Sequence, residues 1–556
     1  MGIKVGLLVD GVQNSKYVLD LVNWSKSTAD VEITHLIVHA DKSKKVGRFA
    51  KWASAFLKDG IMTTTDRLLK TLFIRAAFFM ERRLLSRSEM DRDHLEVFDL
   101  ERIVHNKIDI APLISKSGLT YRFSDADIDQ VKSLGLDLLI RCGAAILRGG
   151  ILRAAKLGVW SFHHADNTVN RSGPAGFWEV YYENDTTGFT IQRLTEELDG
   201  GDAMMRGRVQ TQYYYLLNQA ALYRKSNHYM KVLLSQLAIG SKPRILEHIP
   251  YSNRLFREPD AKCAAIYLVR LVGRVVAKIF RKIRHVDNRW SVGFVKGDWR
   301  KAVLSRGVRL KNRPNHYLAD PFVVSRYGSD FCFVEDFDFQ ERKGLISVYK
   351  LDGGGGSLLG AALIEPFHLS FPYIFEFGDD LYMCPETAEA ASIRVYKCLE
   401  FPLKWELEKT IMKGVVAVDS MLFEHSGKWW LLTNTDSATS GDFFELSVFW
   451  ADNPLSDDWR PHPQNPIYVD AGRARNGGFL RDGHRVFRVS QSQGFNLYGK
   501  AAHIREIVEL SETVYREREV AELVPRFADD IVGMHHMHSS GEVTVFDMVG
   551  PRKIAA

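Results

Sequence analysis

The hydrophobic rhythm of the chain changes near Trp290. Before that point, short continuous apolar runs alternate with longer amphipathic stretches: VGLLVDG at 5–11, EITHLIVHA at 32–40 and LDLLIRCGAAIL at 136–147. Apolar runs of this length, separated by helical stretches, predict buried strands of a mostly parallel sheet in an α/β layer. After Trp290, strands rich in aromatic and β-branched residues recur with Gly and Asp turns, at a period of about fifty residues. The matching units are DPFVVSRYGSDFCFVED from Asp320, PYIFEFGDDLYMCPET from Pro372, DSMLFEHSGKWWLLTNT from Asp419, GGFLRDGHRVFRVSQS from Gly477 and MHSSGEVTVFDMV from Met537. Each reads as strand, Gly-containing turn and second strand. A further echo supports the register, since ISVYK at 346–350 recurs as IRVYK at 393–397 and more loosely as LSVFW at 446–450. Five such units predict a five-bladed β-propeller closed on itself, which protects its sheet edges. The fold class is therefore α/β plus all-β, with an α/β domain over 1–250, a helical linker over 251–290 and a propeller over 291–556.

Composition narrows the class without redirecting it. At 556 residues the chain exceeds one core, and 46% hydrophobic with 26% charged residues is ordinary for a globular protein. Five cysteines without a Cys-x-x-Cys pair argue against a disulfide framework. No signal peptide is legible, because the N-terminus enters an apolar strand after one lysine, and no apolar run is long enough to span a bilayer. The expected location is the cytoplasm.

Charge is uneven. Between Asp41 and Asp93 stand thirteen Lys or Arg against seven Asp or Glu, a local excess equal to the +6 of the whole chain. This stretch predicts basic amphipathic helices inserted into the first domain at about 41–95. A second basic stretch, AAIYLVRLVGRVVAKIFRKIRH at 264–285, interleaves apolar residues with Arg and Lys at near-helical spacing. Such a helix fits peripheral contact with an anionic membrane, at the inner face for a cytoplasmic protein, or packing between domains, and its place in a linker slightly favours packing. Nucleic-acid binding is not expected, since the charge is modest and no recognition motif accompanies it.

The densest chemistry lies in GVWSFHHADNTVNRSGPAGFWEVYYENDTTGFTIQRLTEELDGGD, from Gly158 to Asp202. His163 follows an apolar stretch, Arg171, Gly173 and Pro174 form a loop, TGFTI follows, and Asp199 sits in a Leu-Asp-Gly-Gly-Asp turn. Order and spacing together resemble the methionyl-tRNA, glycinamide-ribonucleotide and sugar-amine N-formyltransferases. The resemblance implies a Rossmann-like formyltransferase domain that moves a formyl group from 10-formyltetrahydrofolate to a small-molecule or sugar-linked amine. It implies His163 as acid/base and oxyanion partner and Asp199 as its orienting carboxylate. Ser161 stands where the family has Asn, and a serine hydroxyl is shorter and donates one hydrogen bond; Asn167 or His164, in the same loop, is the candidate to support it. Arg141, Cys142, Gly143 and Ala144, at the end of a parallel strand, are carried over as the pterin-lining backbone. His164 beside His163 finds no matching spacing for a metal, and none is expected.

The second half resembles the N-terminal domain of plant glucosamine inositolphosphorylceramide transferases through HLSFPYIFE, the MCPE stretch and VDSMLFEHSGKWWLL. More distantly it is similar to five-bladed glycosidases of the arabinanase type, in which acidic residues from successive blades meet in a central funnel. The resemblance implies carbohydrate at the propeller, with Asp320, Glu386 and Asp419 as candidate carboxylates and His368, His535 and His536 near them. Asp320 and Asp419 fit turn-capping at blade entrances equally well. The alternative to formyl transfer is a carbohydrate-binding or glycan-processing propeller whose first domain is a non-catalytic scaffold.

Overall fold

The computed structural model describes residues 2–39, 48–84, 96–116, 118–143, 146–171, 173–197 and 201–553, the side chains of 48–64 excepted. The chain divides into two compact units, Met1–Val276 and Ala277–Ala556.

The first unit is built on a seven-stranded sheet. Its strands are β1 (Ile3–Val9), β2 (Val31–Val38), β3 (Asn106–Asp109), β4 (Leu138–Cys142), β5 (Val159–His163), β6 (Thr186–Arg193) and β7 (Asp202–Gln210), in the spatial order β7-β6-β5-β4-β1-β2-β3. The five strands from β1 to β5 run parallel, and β6 and β7 extend them antiparallel. Val5, Leu7, Leu8 and Val9 of β1 and Leu138, Leu139 and Ile140 of β4 are all buried, as expected for central parallel strands covered on both faces. The predicted apolar runs thus lie on β1, β2 and β4. The antiparallel pair was not anticipated, because DAMMRGRVQ lacks the β-branched alternation of an ordinary strand.

Helices α1 (Lys16–Ser27), α2 (Arg48–Leu84), α3 (Asp125–Ser133), α4 (Phe177–Tyr181), α5 (Tyr215–Ala238) and α6 (Ala261–Ile283) complete the unit, α6 running past its boundary. α2 lies within the expected basic insertion, and the rest of 41–95 lies outside the described residues. No helix among the described residues is long and apolar enough to cross a membrane.

One buried carboxylate ties three of these helices together. Tyr214 offers α5 no side-chain cap. Glu81 of α2 replaces it, accepting hydrogen bonds from the amides of Tyr215 (3.3 Å) and Leu216 (2.9 Å) and from the hydroxyl of Tyr267 on α6. A negative group at a helix N-terminus meets both the unsatisfied amides and the positive end of the dipole. Glu81→Ala is expected to cost about 1–3 kcal/mol, the penalty of buried donors left unmet. A urea titration checks this, with the midpoint lowered and the slope retained.

The second unit contains five antiparallel sheets. Sheet I joins the unit's beginning to its end, pairing Val286–Lys296 with Val543–Lys553 over their full length, with Met537–Ser540 as its inner strand. Sheets II (His316–Leu363), III (Ser370–Lys413) and V (Asn476–Leu523) have four strands each, and sheet IV (Ala417–Val469) has five. The inner strands Met537–Ser540, His316–Arg326, Ser370–Phe377, Ala417–His425 and Asn476–Asp482 neighbour one another in sequence, and the last neighbours the first. The sheets therefore form a closed ring. Pairing the terminal strands fastens it without a free edge at the seam.

The inner strands of sheets II to V share a defect. Each ladder breaks so that two residues face one: between Ala319 and Phe322, Ser370 and Tyr373, Val418 and Met421, Asn476 and Phe479. Within these bulges Asp320, Phe371, Asp419 and Gly478 have φ of 49°, 45°, 51° and 125°. A bulge re-aims a side chain, and a non-glycine residue in the left-handed region is held there against its preference. Pro321 and Pro372 suit these positions, where no ladder donor is required. In sheet V glycine is needed, because a Cβ on Gly477 or Gly478 would come 2.1 Å from the carbonyl oxygen of His535 or Met537.

Candidate active site in the five-sheet ring

The repeated bulge builds the site. It places Asp320 and Asp419 at the entry ends of their inner strands. Opposite each bulge the second strand contributes the next group: Ala319 faces Glu335, Ser370 faces Glu386, Val418 faces Asn434 and Asn476 faces Ser490. In sheet I, Asp547 occupies the corresponding end, accepting from the amides of His535 (3.0 Å), His536 (2.9 Å) and Asp320 (3.3 Å). Asp320, Glu386 and Asp419, expected from sequence, are electrostatically coupled members of one group with Glu335 and Asp547.

Two cations and a tautomer order the charges. Arg475 holds Asp419 at 2.6 Å. His535 Nδ1 lies 2.6 Å from Asp547, its Nε2 lies 3.7 Å from Asp320, and His536 Nδ1 lies 3.6 Å from the same oxygen. Trp290 stacks on His535 with ring centroids 3.9 Å apart, and Arg475 lies over the ring of Tyr498. His368 accepts from the amide of Gly344 through Nδ1 (2.8 Å), which leaves the proton on Nε2, 3.7 Å from Glu335. Glu335 also accepts from the Tyr317 hydroxyl at 2.9 Å.

These contacts push the carboxyl groups apart. Burial works against the charged form of Asp320, but His536, His535 and Arg475 outweigh it and hold its pKa below the usual range. Burial, reinforced by Asp419, raises Glu386 to about 8. Burial and then Asp320 raise Glu335 well above the carboxylate range, and burial raises Asp419 against the pull of Arg475. His535 is lifted by Asp547 in spite of burial. A charged Asp320 beside a protonated Glu386 is the separation of roles that acid/base chemistry on a glycosidic oxygen needs.

The raised Glu386 makes stability depend on pH. Its folded form binds a proton that the unfolded chain releases near pH ~4.3, so its contribution is complete below that value and is lost as pH rises through about 8. Thermal melts between about pH 5 and pH 9 should show falling stability with rising pH, and Glu386→Gln should flatten that slope.

Asp320, His535 and Asp547 each place one ligand atom within 4.8 Å of the others, so among the described residues their donors could hold a cation. Glu335, Arg475 and Asp547 were missed in the sequence. The FVED of the first repeat and the MCPE of the second repeat align Glu335 with Glu386, which was the available signal; GRARNGG and VFDMV offered none.

In the first unit, β4 and β5 pair Ser161 with Arg141 and bring Cys142, Gly143 and His163 to the carboxyl edge of the sheet. The remaining contacts depart from the expected formyl site. Ser161 donates to the Phe162 carbonyl (3.1 Å), and Asn167 accepts from Arg206 (2.8 Å), so the carboxamide expected to support Ser161 is held elsewhere. His163 Nε2 lies 2.8 Å from the Asn170 carbonyl. Burial raises the Cys142 thiol to about 12, and a Cβ on Gly143 would meet Asp10 at 2.5 Å. His164 is a buried neutral ring among Tyr17, Phe162 and Tyr223, its pKa lowered by burial to about 3. Asp199 and Ala144 lie outside the described residues.

Ring and site define a cluster of carboxyl groups gathered from successive sheets. Residues 302–531 match the family model described as glucosamine inositolphosphorylceramide transferase 1, N-terminal. Glucosamine inositolphosphorylceramide transferase 1 of Arabidopsis thaliana is 38% identical over 217 residues, covering 37% of this chain and 28% of the plant protein. The chain thus spans little more than a quarter of the length of that relative. Among solved structures, the family 117 glycoside hydrolase Zg3597 of Zobellia galactanivorans overlays 47% of the chain and 92% of itself at 11% identity and a TM-score of 0.32. Glycinamide ribonucleotide transformylase 1 of Symbiobacterium toebii overlays 44% of the chain and 95% of itself at 13% identity and a TM-score of 0.28.

The relatives overturn two expectations. Their name describes a transferase of a class other than formyl transfer, which removes the formyltransferase assignment and, with it, 10-formyltetrahydrofolate as donor. The Ser161 contact gives the correction a physical basis, since its single hydroxyl proton is donated to the Phe162 carbonyl and not toward a formyl oxygen.

Proposed function

We propose that the chain is a glycan-processing transferase whose C-terminal unit, a five-bladed propeller, holds a glycosyl group at the entry ends of its inner strands. The observation that carries this reading is the buried carboxyl group set in which Asp320 is held charged and Glu386 protonated by named neighbours. Asp320 is the base or charge stabiliser, Glu386 the proton donor, and Asp419 with Arg475 the pair that tunes Glu386. Trp290 and Tyr498 flank His535 and supply aromatic surface of the kind sugars stack on. The names of the plant relatives make an amino sugar and an inositol phosphate head group the first ligands to try.

A second reading, glycan binding without turnover, is favoured by one contact: Asp419 is closed off by Arg475 at 2.6 Å and approached by Gln491. Mass-spectrometric product analysis separates the two. Incubation with activated glucosaminides in the presence of inositol phosphate should yield a glycosylated acceptor or the free sugar. Saturation transfer to the sugar without either product supports binding alone, and neither signal in folded protein sinks both readings.

A further inference from the structure

Helix α6 carries an apolar stripe that is exposed among the described residues. Its inward face is Ala261, Ala264, Tyr267, Leu271 and Arg274, all buried. Away from that face stand Val269, Val272, Val276, Ile279, Phe280 and Ile283 at helical spacing, the first 71% and the last 66% exposed. A run of large apolar side chains turned to water along four turns of a helix is unlike the scattered exposed residues of an ordinary surface. The sequence from Ala261 to Ile283 contains no Asp or Glu and six Lys or Arg. Exposed Lys262, Lys282 and Arg284 flank the stripe, and exposed Lys278 and Arg281 add to its charge.

A second helix repeats the arrangement. Glu81 binds α2 to α6 through Tyr267, and Asp66 accepts from the first amide of α6. Opposite its buried Ala77 and Glu81, α2 exposes Leu68, Leu72 and Phe79, with exposed Arg75, Arg82 and Arg83 along the same side. Arg83 lies over the Phe79 ring at 4.9 Å.

Apolar stripe and unopposed positive charge on one helix match an anionic lipid surface, whose acyl boundary takes the first and whose phosphates take the second. A protein partner would need a complementary acidic rim around an apolar groove; a bilayer of anionic lipid offers both along any line. We propose that α6 lies in the plane of an anionic membrane, with Val272, Val276, Ile279 and Phe280 in the acyl boundary and Lys262, Lys282 and Arg284 on head-group phosphates. The inference is independent of the chemistry assigned to the ring.

Co-sedimentation of the full chain with vesicles tests it. Binding to phosphatidylcholine vesicles containing phosphatidylglycerol should be at least about tenfold tighter than to phosphatidylcholine alone, and should weaken with added salt. Phe280→Glu and Lys282→Glu, both at exposed positions, should each lose most of that binding with unchanged circular dichroism. Equal or absent binding to both vesicle types overturns the proposal. So does wild-type binding by both variants. A dimer that Phe280→Glu dissolves, without vesicle binding in the wild type, would assign the stripe to a second copy of the chain instead.

Discussion

Asp320→Asn is expected to lower glycosyl turnover by about 10²–10⁴-fold, the range over which a positioned acid or base contributes. The amide keeps the shape of the carboxylate and removes its charge. His535 and His536 then lose the anion they approach at 3.7 and 3.6 Å, so the reacting centre loses one negative charge. Glu386→Gln should cost a similar factor by a different route, since an amide cannot deliver the proton that Glu386 retains up to about pH 8. The two losses should combine to much less than their product, because acid and base serve one transition state. The readout that separates catalysis from folding is the split between constants: kcat should fall in both variants while KM for the same glycoside changes little. A rise confined to KM would make both residues binding groups.

Arg488→Met carries the largest expected stability effect, about 3–5 kcal/mol, the usual cost of stranding one member of a buried ion pair. Arg488 and Glu517 bridge the second and outer strands of sheet V with side chains 0% and 1% exposed, through paired contacts of 2.9 and 2.8 Å. Arg488 also donates to the carbonyls of Ala474 and Arg473. Removing it leaves a carboxylate that burial opposes and that Arg488 chiefly sustains, with Arg473 and Arg505 as lesser contributors. Replacing both partners with apolar residues should restore most of the loss, since the penalty belongs to the stranded charge. Chemical denaturation of the single and double variants checks this. Equal destabilisation in both would show that the pair contributes through packing and not through charge. The depressed pKa of Glu517 sets the acid behaviour: its stabilisation is present above the ordinary glutamate pKa and is lost as pH falls through the lowered value.

The ring was legible because its units repeat. The hairpins named from Asp320, Pro372, Asp419, Gly477 and Met537 fall on the inner and second strands of sheets II, III, IV, V and I. Asp320 and Asp419 were legible as motif residues, but their left-handed backbone was not, since nothing in DPF or DSM demands φ near 50°. That conformation accompanies the bulges, which only the pairing of the strands reveals. Glu335 stayed hidden because it looks like an ordinary strand residue until pairing places it opposite a bulge, and Asp547 because only the fold brings it to the amides of His535 and His536. Arg475 lies in a connection between sheets, where periodicity says nothing. In the first half the order of His163, Arg171, Pro174 and Asp199 gave a strong pattern, but the formyl chemistry it implied is overturned by the relatives. The commitment of Asn167 to Arg206, across β7, depends on an antiparallel strand that the sequence did not announce.

The most direct test of the central claim is saturation-transfer NMR on the intact chain with glucosamine and inositol phosphate glycosides, in wild type and in Asp320→Asn. The account predicts saturation reaching the sugar ring protons in the wild type from the aromatic surface of Trp290 and Tyr498, and its loss when Tyr498 is replaced by Ala while the fold is retained. A folded wild-type chain that transfers saturation to no sugar, or that transfers it equally with Tyr498→Ala, would contradict a glycosyl site at the centre of the ring.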